Sequence, residues 1–329
     1  MLDDSTFRKV LVTGATGFVG KALVPALVEE GYQVRATTRQ LKRQDETPHV
    51  EWIQCDVARR EEVDRALEGI DAVFFLVHAM GGGAHDYAES ERRIAEQLRD
   101  AAAGAGVRRI VYLGGVAPAQ EPSEHLKSRL AVGDVLRTGS VPTIELRASM
   151  IVGNGSASWQ IVRDLAMRLP AMILPSWTAA RTCPLALEDA LVALVRALRI
   201  ALPQSAWYDI PGPEILSSRE ILSKIAALRG RHVPSVAVPF LSVSLSSWWL
   251  KLVTRGDFAL SRQIVLGLKG DLLPRDARYW SEIGYTPQST FDAAAREALA
   301  NEAPEPRLRG VVARLEEALV QRVSPKLSR

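Results

Sequence analysis

The strongest chemical signal in the sequence is a glycine-rich run close to its first residue. Residues 13–20 read TGATGFVG, between a short apolar run and an amphipathic helical pattern. Gly14 permits a tight turn, Gly17 lets backbone approach a pyrophosphate, and Gly20 lets the helix pack closely on the strand. Because a helix start supplies N–H donors, the run predicts a dinucleotide site; a merely tight turn is the alternative. The residues assigned to that site are Gly14, Ala15, Thr16, Gly17, Phe18, Val19 and Gly20.

The residues after the second predicted strand indicate which dinucleotide is bound. NAD-binding proteins place Asp or Glu about 20 residues beyond the glycine turn, where it accepts a hydrogen bond from the ribose 2′-OH. Here residues 36–39 read ATTR and contain no acid. Arg39, followed by Lys42 and Arg43, offers a guanidinium to a 2′-phosphate. NADP(H) is therefore the preferred cofactor and NAD(H) the alternative. These basic residues are also consistent with a solvated loop that binds no ligand.

Two further groups of residues follow predicted strands at the edge where open α/β sheets bind ligands. Asp56 and Val57 come after the third strand and suit contacts with the adenine end of the cofactor. Leu76, Val77 and His78 end the fourth strand and are predicted to lie near the cofactor ribose. For His78, an ordinary loop histidine is an equally good interpretation.

The elements that position these residues alternate along the first half of the chain. Apolar runs predict strands, with helical patterns between them, at residues 8–12, 32–36, 50–54, 72–77, 109–113 and 143–147. This alternation predicts the α/β class, with a doubly wound parallel sheet. Residues 1–150 are predicted to form the dinucleotide-binding domain, which residues 184–211 complete.

The pattern changes after residue 147, where Gly, Pro, Trp and Met become frequent. Six of the seven tryptophans follow residue 150, which suggests a pocket or an interface. Residues 151–183 and 212–300 are predicted to form a smaller, mostly helical C-terminal lobe, and residues 301–329 a basic tail. Trp248 and Trp249 suit a pocket cover, a subunit contact or a peripheral membrane contact; burial between helices is the leading alternative.

Composition excludes several classes of protein. The 41 Lys and Arg against 38 Asp and Glu leave a net charge of +3, too even for a dominant nucleic-acid-binding face. Two cysteines and five scattered histidines provide neither a disulfide framework nor a metal site. Neither a signal peptide nor a membrane-spanning run is found, so a cytoplasmic location is expected.

Eight motifs occur in order over about two-thirds of the sequence. They are TGATGFVG (13–20), CDV (55–57), FFLVHAM (74–80), GVRRIVYLGG (106–115), SEHLKSR (123–129), ELRASMIVG (145–153), PLALEDA (184–190) and YDIPGPEILSSREIL (208–222). With them the chain resembles the atypical, extended group of the short-chain dehydrogenase/reductase superfamily, which contains epimerase/dehydratase-like and NmrA-like NAD(P)H-binding proteins. The resemblance implies a Rossmann domain with an interleaved smaller lobe over the nicotinamide.

The resemblance also implies a catalytic set that this sequence has changed. Active members carry a Tyr-x-x-x-Lys pair and a Ser at the end of the fifth strand. Here His125 stands in the place of the Tyr, Arg129 in that of the Lys, and residues 114–115 are both glycine. His125 is then the candidate proton donor, because an ordinary histidine titrates near neutral pH, and Arg129 the cation that holds the ribose or a phosphate. In the alternative interpretation, His125 caps the helix and Arg129 pairs with a carboxylate.

The residues after the sixth strand are candidates for the substrate pocket, because the family chain passes the nicotinamide there. Polar and large apolar side chains both occur, which suits a bulky hydrophobic substrate, although ordinary core packing is an equal alternative. The candidates are Ser149, Met150, Asn154, Trp159 and Trp177.

Three functions follow from these residues. The first is an NADPH-dependent reductase of a hydrophobic carbonyl, enone or quinone-like small molecule that lacks the usual Tyr-x-x-x-Lys pair. The second is a non-catalytic NADP(H)-sensing regulator or assembly factor, and the third, weaker one is an NAD-dependent epimerase or dehydratase. The expected state is a monomer or a homodimer, with no nucleic-acid partner.

Overall fold

The computed structural model describes residues 7–41, 48–77, 84–168, 172–231, 235–238 and 270–302. For residues 84–87, 168, 172–177 and 235–238 the description covers the backbone alone. The predicted His78, the Trp248-Trp249 pair and the tail from residue 303 lie outside the described residues. Among the described residues, no helix is both long and apolar enough to cross a membrane.

Seven strands form one parallel sheet, which confirms the predicted α/β class. In chain order they are β1 (Lys9–Thr13), β2 (Gln33–Thr38), β3 (Val50–Gln54), β4 (Ala72–Phe75), β5 (Arg109–Gly115), β6 (Thr143–Ala148) and β11 (Ala206–Asp209). Their order in space is β11-β6-β5-β4-β1-β2-β3, and every pairing among them is parallel. Strands this apolar on both faces need helices on both faces.

Helices cover both faces of the sheet, and further helices belong to the C-terminal part. They are α1 (Phe18–Glu29), α2 (Arg60–Leu67), α3 (Ala84–Gly104), α4 (Glu124–Arg137), α5 (Ala157–Arg168), α6 (Leu187–Arg196), α7 (Ser218–Leu228), α8 (Arg278–Glu282) and α9 (Phe291–Ala300). Side chains of α1 and α6 share one buried cluster with the sheet. Side chains of α2, α3 and α4 share a second cluster on the opposite face. The sheet is therefore doubly wound, as predicted.

The strand order places the expected ligand crevice between β1 and β4. From β1 the chain continues outward to β2 and β3, and then returns to form β4 on the other side of β1. The carboxyl ends of β1 and β4 therefore diverge at a switch point, where open α/β sheets bind their ligands. The glycine turn follows β1 directly.

The C-terminal part contains short strands that the sequence pattern did not predict. They are β7 (Met150–Val152), β8 (Met172–Pro175), β9 (Arg181–Thr182), β10 (Pro184–Ala186), β12 (Leu216–Ser217) and β13 (Ser235–Val238). They pair as β7–β10, β8–β13 and β9–β12, the last antiparallel. A third buried cluster joins α5, α7 and α9, with Trp159 and Phe291 at its centre.

Asp189 joins α6 to the segment that follows α8. The residue is 1% exposed, and its carboxylate accepts hydrogen bonds from the Tyr285 hydroxyl (2.6 Å) and from the backbone N–H groups of Gln288 (3.3 Å) and Ser289 (3.4 Å). Burial, and then the bond to Asp189, raise the pKa of Tyr285 to about 12. This carboxylate therefore organises the chain that leads into α9.

We expect Asp189→Ala to destabilise the protein by about 2–4 kcal/mol, because three donors lose their buried partner. Tyr285→Phe removes one of the three bonds and should cost about 1 kcal/mol. Urea unfolding of both variants measures the two losses. Equal stability of Asp189→Ala and the wild type would contradict this role.

Candidate functional site

The glycine turn closes against the end of β4. Gly14 has a φ of +69°, which favours glycine, and a Cβ there would lie 3.0 Å from the carbonyl carbon and oxygen of Leu76. The Thr13 hydroxyl donates to the Phe74 carbonyl (3.2 Å) and accepts from the Leu76 N–H (3.3 Å). These contacts hold the ends of β1 and β4 together at the switch point.

The start of α1 approaches the turn so closely that no side chain fits at Gly20. A Cβ there would lie 2.3 Å from the Gly14 carbonyl oxygen and 2.7 Å from the Cα of Ala15. Gly17 caps the helix and donates its N–H to the Gly14 oxygen (2.9 Å), and the first turn contains no acidic residue. The N–H groups of this turn can therefore bind an anionic group such as a pyrophosphate.

The remaining predicted residues of the turn lie in different surroundings. Ala15 is buried, Thr16 is exposed, and Val19 is half-buried. The ring of Phe18 packs on the loop after β7, because a Cβ at Gly153 would lie 2.8 Å from its Cζ and one at Gly155 would lie 3.3 Å from its Cδ2. That loop therefore lies beside the start of α1.

The other predicted cofactor residues follow the neighbouring strands. Arg39 is exposed directly after β2. Val57 is buried, and the Asp56 carboxylate accepts from the Ala58 N–H (3.0 Å), so that this carboxylate also shapes the turn into α2. Leu76 and Val77 are half-buried just after β4.

Arg129 lies beside the end of β5. Its Nη2 donates to the Leu113 carbonyl (2.7 Å), while its own carbonyl accepts from the Tyr112 hydroxyl (3.0 Å). A Cβ at Gly115 would lie 3.6 Å from Arg129 Nε and only 2.6 Å from Leu126 Cδ1. Leu126 therefore fills the space that a side chain at residue 115 would need.

His125 is half-buried in the first turn of α4, which Ser123 caps through the Leu126 N–H (3.4 Å). Burial, and then the positive charge of Arg129, lower its pKa to about 4. The expectation that this imidazole titrates near neutral pH is therefore wrong: it is neutral at pH 7. Burial against a neighbouring cation is the physical reason.

The predicted pocket residues whose side chains are described do not share one open surface. The Ser149 hydroxyl donates to the Cys183 carbonyl (2.9 Å), and the Asn154 amide donates to the Asn301 carbonyl. Met150 is buried, and Trp159 is 0% exposed with its ring 6.4 Å from that of Phe291. Trp159 is thus a core residue of the third cluster rather than a pocket lining, because α7 and α9 cover it. The side chain of Trp177 lies outside the described residues.

Comparison with known proteins fits this geometry. A family model described as NAD(P)H-binding matches residues 14–166. (4-Alkanoyl-5-oxo-2,5-dihydrofuran-3-yl)methyl phosphate reductase of Streptomyces griseus is 28% identical over 225 residues, 68% of this chain and 74% of that protein. 2-Alkyl-3-oxoalkanoate reductase of Stenotrophomonas maltophilia is 26% identical over an alignment that covers 90% of this chain and 99% of that protein. The NAD complex of the Bordetella bronchiseptica enzyme WbmG superposes with a TM-score of 0.69 at 16% identity, covering 91% of this chain and 95% of that one.

Over residues 14–166 the chain is therefore similar to NAD(P)H-binding proteins, and it shares the fold of the WbmG structure. A nicotinamide dinucleotide is therefore its class of cofactor. The short-chain dehydrogenase/reductase proteins that the sequence resembles carry Tyr, Lys and Ser where this chain has His125, Arg129 and the glycines 114–115. In the part of the chain that the structure describes, no group of His, Cys, Asp and Glu is arranged to hold a metal ion.

The sequence pattern did not predict the buried ionic groups that lie behind this candidate site. Glu145 and Arg147 alternate within β6, in an apolar run, and both are buried. Glu91 of α3 is also buried and accepts from the Ser128 hydroxyl of α4 (2.5 Å). A charge inside an apolar strand was the available signal, because charged residues are rarely buried without a partner.

Proposed function

We propose that the protein is an NADPH-dependent reductase of a hydrophobic carbonyl, enone or quinone-like small molecule. The observation that carries the proposal is that α4 presents Arg129 and His125 at the end of β5, on the same sheet edge as the glycine turn. Residues 151–183 and 212–300 form the substrate lobe in this proposal, and residues 1–150 with 184–211 the dinucleotide-binding domain.

Arg39 supports the preference for NADPH over NADH. It is exposed at the end of β2, the strand next to β1, and residues 36–38 beside it contain no carboxylate. A guanidinium at that place can bind a 2′-phosphate through two parallel hydrogen bonds. The glycine turn binds the pyrophosphate through the N–H groups of α1, and Asp56, Val57, Leu76 and Val77 line the adenosine side.

The proposed chemistry divides between cofactor and chain. When bound, the nicotinamide supplies a hydride to the carbonyl carbon. His125, neutral at pH 7 because its pKa is about 4, donates an N–H hydrogen bond to the carbonyl oxygen and stabilises the negative charge that develops there. Arg129 holds the ribose next to the end of β5, and solvent provides the proton that completes the alcohol.

The names of the relatives support the substrate class. The Streptomyces griseus and Stenotrophomonas maltophilia relatives are both named as reductases, the second of them of 2-alkyl-3-oxoalkanoates. Their substrates combine an alkyl chain with a carbonyl group next to a polar head. Such compounds are therefore the first to be offered to this protein.

A second candidate function is an NADP(H)-sensing regulator without catalysis. The position of Leu126 favours this function, because its Cδ1 occupies the space of a side chain at residue 115. Active members of the superfamily carry a catalytic hydroxyl group at this end of the fifth strand. The two functions differ in turnover. A panel containing a 2-alkyl-3-oxo acid, a long-chain enone and a quinone should oxidise NADPH if the protein is a reductase, and a regulator should bind NADPH without consuming it.

His125→Ala tests the role of the imidazole. We expect kcat/KM to fall about 100-fold with the NADPH dissociation constant unchanged, since one stabilising hydrogen bond is lost. The exposed His49, with a φ of 66°, provides the control variant His49→Asn, which should behave like the wild type. Unchanged turnover in His125→Ala would remove His125 from the mechanism.

The pH profile separates a neutral from a charged imidazole. The folded pKa of about 4 lies below the ordinary 6.5, so that His125 stays neutral at pH 7 and becomes protonated only as the pH approaches 4. Activity should therefore persist above pH 6.5 and decline on the acid side toward pH 4. Loss of activity as the pH rises through 6.5 would indicate a protonated His125 as the acid instead.

A further inference from the structure

A buried carboxylate lies beneath the helix that carries His125 and Arg129. Glu145 in β6 is 0% exposed, and its carboxylate accepts from Arg147 Nε (2.8 Å) and Nη2 (3.2 Å). The same carboxylate forms an ion pair with Arg137 in the last turn of α4. An ion pair therefore joins strand β6 to helix α4 inside the fold, while charge-assisted hydrogen bonds hold the carboxylate to Arg147 within the strand.

Two glycines make the space for this carboxylate. A Cβ at Gly133, in the middle of α4, would lie 2.4 Å from Glu145 Cδ, and one at Gly114 of β5 would lie 2.8 Å from Glu145 Oε1. Glycine inside a helix is unfavourable compared with alanine, so that its presence at residue 133 needs a local reason. The close fit around the carboxylate supplies that reason.

The same side of α4 carries the candidate active-site residues. His125, Arg129, Gly133 and Arg137 follow one another at intervals of four residues, which places them along one stripe of the helix. At one end of the stripe, Arg129 donates to the Leu113 carbonyl (2.7 Å). At the other end, Arg137 contacts Glu145, so that a shift or rotation of α4 at this contact also moves Arg129 and His125.

We propose that Glu145 is a positioning residue for the active-site helix: its carboxylate, held between Arg137 and Arg147 in the slot formed by Gly114 and Gly133, sets how α4 presents Arg129 and His125 at the end of β5. The proposal rests on the proposed function for its effect on turnover. Its effect on the surroundings of His125 does not depend on any substrate.

Stability alone does not explain such a cluster. A buried ion pair costs desolvation of both partners, and apolar residues of similar size often replace it without loss of stability. Arg147 is further held in place by the Trp207 ring, whose centroid lies 4.4 Å from the guanidinium carbon. An apolar replacement therefore distinguishes the two roles, because it can restore stability without restoring the directed contact with Arg137.

Three variants carry the test. Glu145→Gln keeps the volume and removes the charge, and the double variant Glu145→Met/Arg147→Met replaces the buried pair with apolar side chains. Glu96→Gln removes one partner of an exposed pair with Arg92 on α3 and is the control. Each full-length protein is measured for thermal stability, NADPH affinity, kcat with a carbonyl substrate, and the pH titration of the His125 ring by NMR.

In Glu145→Gln we expect kcat to fall about tenfold to 100-fold with NADPH affinity within about twofold of the wild type, because misplaced groups slow the chemical step more than they weaken binding. The His125 pKa should rise from about 4 toward 6.5 as its packing against Arg129 loosens. The double variant should recover thermal stability while its kcat stays low and its His125 pKa stays raised. If Glu145→Gln does not fold, the double variant decides whether Glu145 positions α4. Glu96→Gln should match the wild type.

Two results would overturn the proposal. One is a wild-type kcat and a wild-type His125 titration in Glu145→Gln; the other is recovery of both by the apolar double variant, which would make the cluster merely structural. If the wild-type protein itself consumes no NADPH with any substrate, the proposed reductase function fails separately. The His125 titration then still decides whether Glu145 positions α4.

Discussion

Substitution of Gly20 by alanine is expected to reduce NADPH affinity at least about 100-fold, a loss of about 2.7 kcal/mol. The added Cβ would lie 2.3 Å from the Gly14 carbonyl oxygen and 2.7 Å from the Ala15 Cα. Both are backbone atoms, so that the clash can be relieved only by moving the turn or the start of α1. Either movement displaces the N–H groups that bind the pyrophosphate. Calorimetric titration with NADPH measures the loss.

Two further variants make this result interpretable. Gly104→Ala, at the end of α3, adds a methyl group with no heavy atom within 4 Å and should bind NADPH like the wild type. Gly17→Val changes an exposed position with a φ of −78°, where a Cβ would lie 3.1 Å from the Gly14 carbonyl oxygen, a contact that a small shift relieves. The fold should therefore survive while the side chain obstructs the pyrophosphate. Undiminished NADPH binding by both Gly20→Ala and Gly17→Val would place the phosphates elsewhere.

The second large effect concerns the choice between NADPH and NADH. Arg39→Ala should weaken NADPH binding about 10-fold to 100-fold and leave NADH binding within about threefold, because only NADPH carries the 2′-phosphate that the guanidinium contacts. Arg39 is exposed at the end of β2, so that its removal should not disturb the fold. Arg296→Ala, an exposed arginine on α9, is the matched control.

Parallel titrations of Arg39→Ala and Arg296→Ala with both cofactors give the answer. A loss of NADPH affinity in Arg39→Ala alone would support the assignment of the 2′-phosphate. Equal changes for NADPH and NADH, or no change for either, would contradict it. In that case, the absence of an acid in residues 36–38 would no longer indicate the cofactor.

The sheet was predictable because its strands are continuous apolar runs separated by helical patterns. β3 occupies the predicted residues 50–54, whereas β4 ends at Phe75, two residues earlier than the apolar run. Helix α1 begins at Phe18 rather than Lys21, so that the last three residues of the glycine run form its first turn. A boundary depends on which N–H and C=O groups pair, which apolar periodicity does not determine.

The smaller elements of the C-terminal part were not predictable in the same way. Strands β9 and β12 have two residues each and exist because Arg181 and Thr182 pair with residues more than 30 positions away. Helix α5 was not predicted, because the Gly, Trp and Met residues in and around it obscure its helical pattern. Tertiary contacts therefore decide these elements, and local patterns do not.

In the candidate site, too, some features follow from local sequence and others from tertiary contacts. The positions of the glycine turn follow from local sequence, because a tight turn before a helix has local requirements. The low pKa of His125 and the carboxylate slot at Glu145 depend on burial and on residues from β5, β6 and α4 that meet only in the fold. The charged Glu145 within an apolar strand was the available signal for a buried carboxylate. Nothing in the local sequence indicated that Arg137 is the partner of this carboxylate.

The glycine turn and Arg39 are proposed to form a site for NADPH. Calorimetric titration of the wild-type protein with NADPH, NADH, NADP⁺ and NAD⁺ tests it most directly. We expect micromolar or tighter binding of NADPH, at least about tenfold tighter than that of NADH. No binding of any of the four, or tighter binding of NADH than of NADPH, would contradict it.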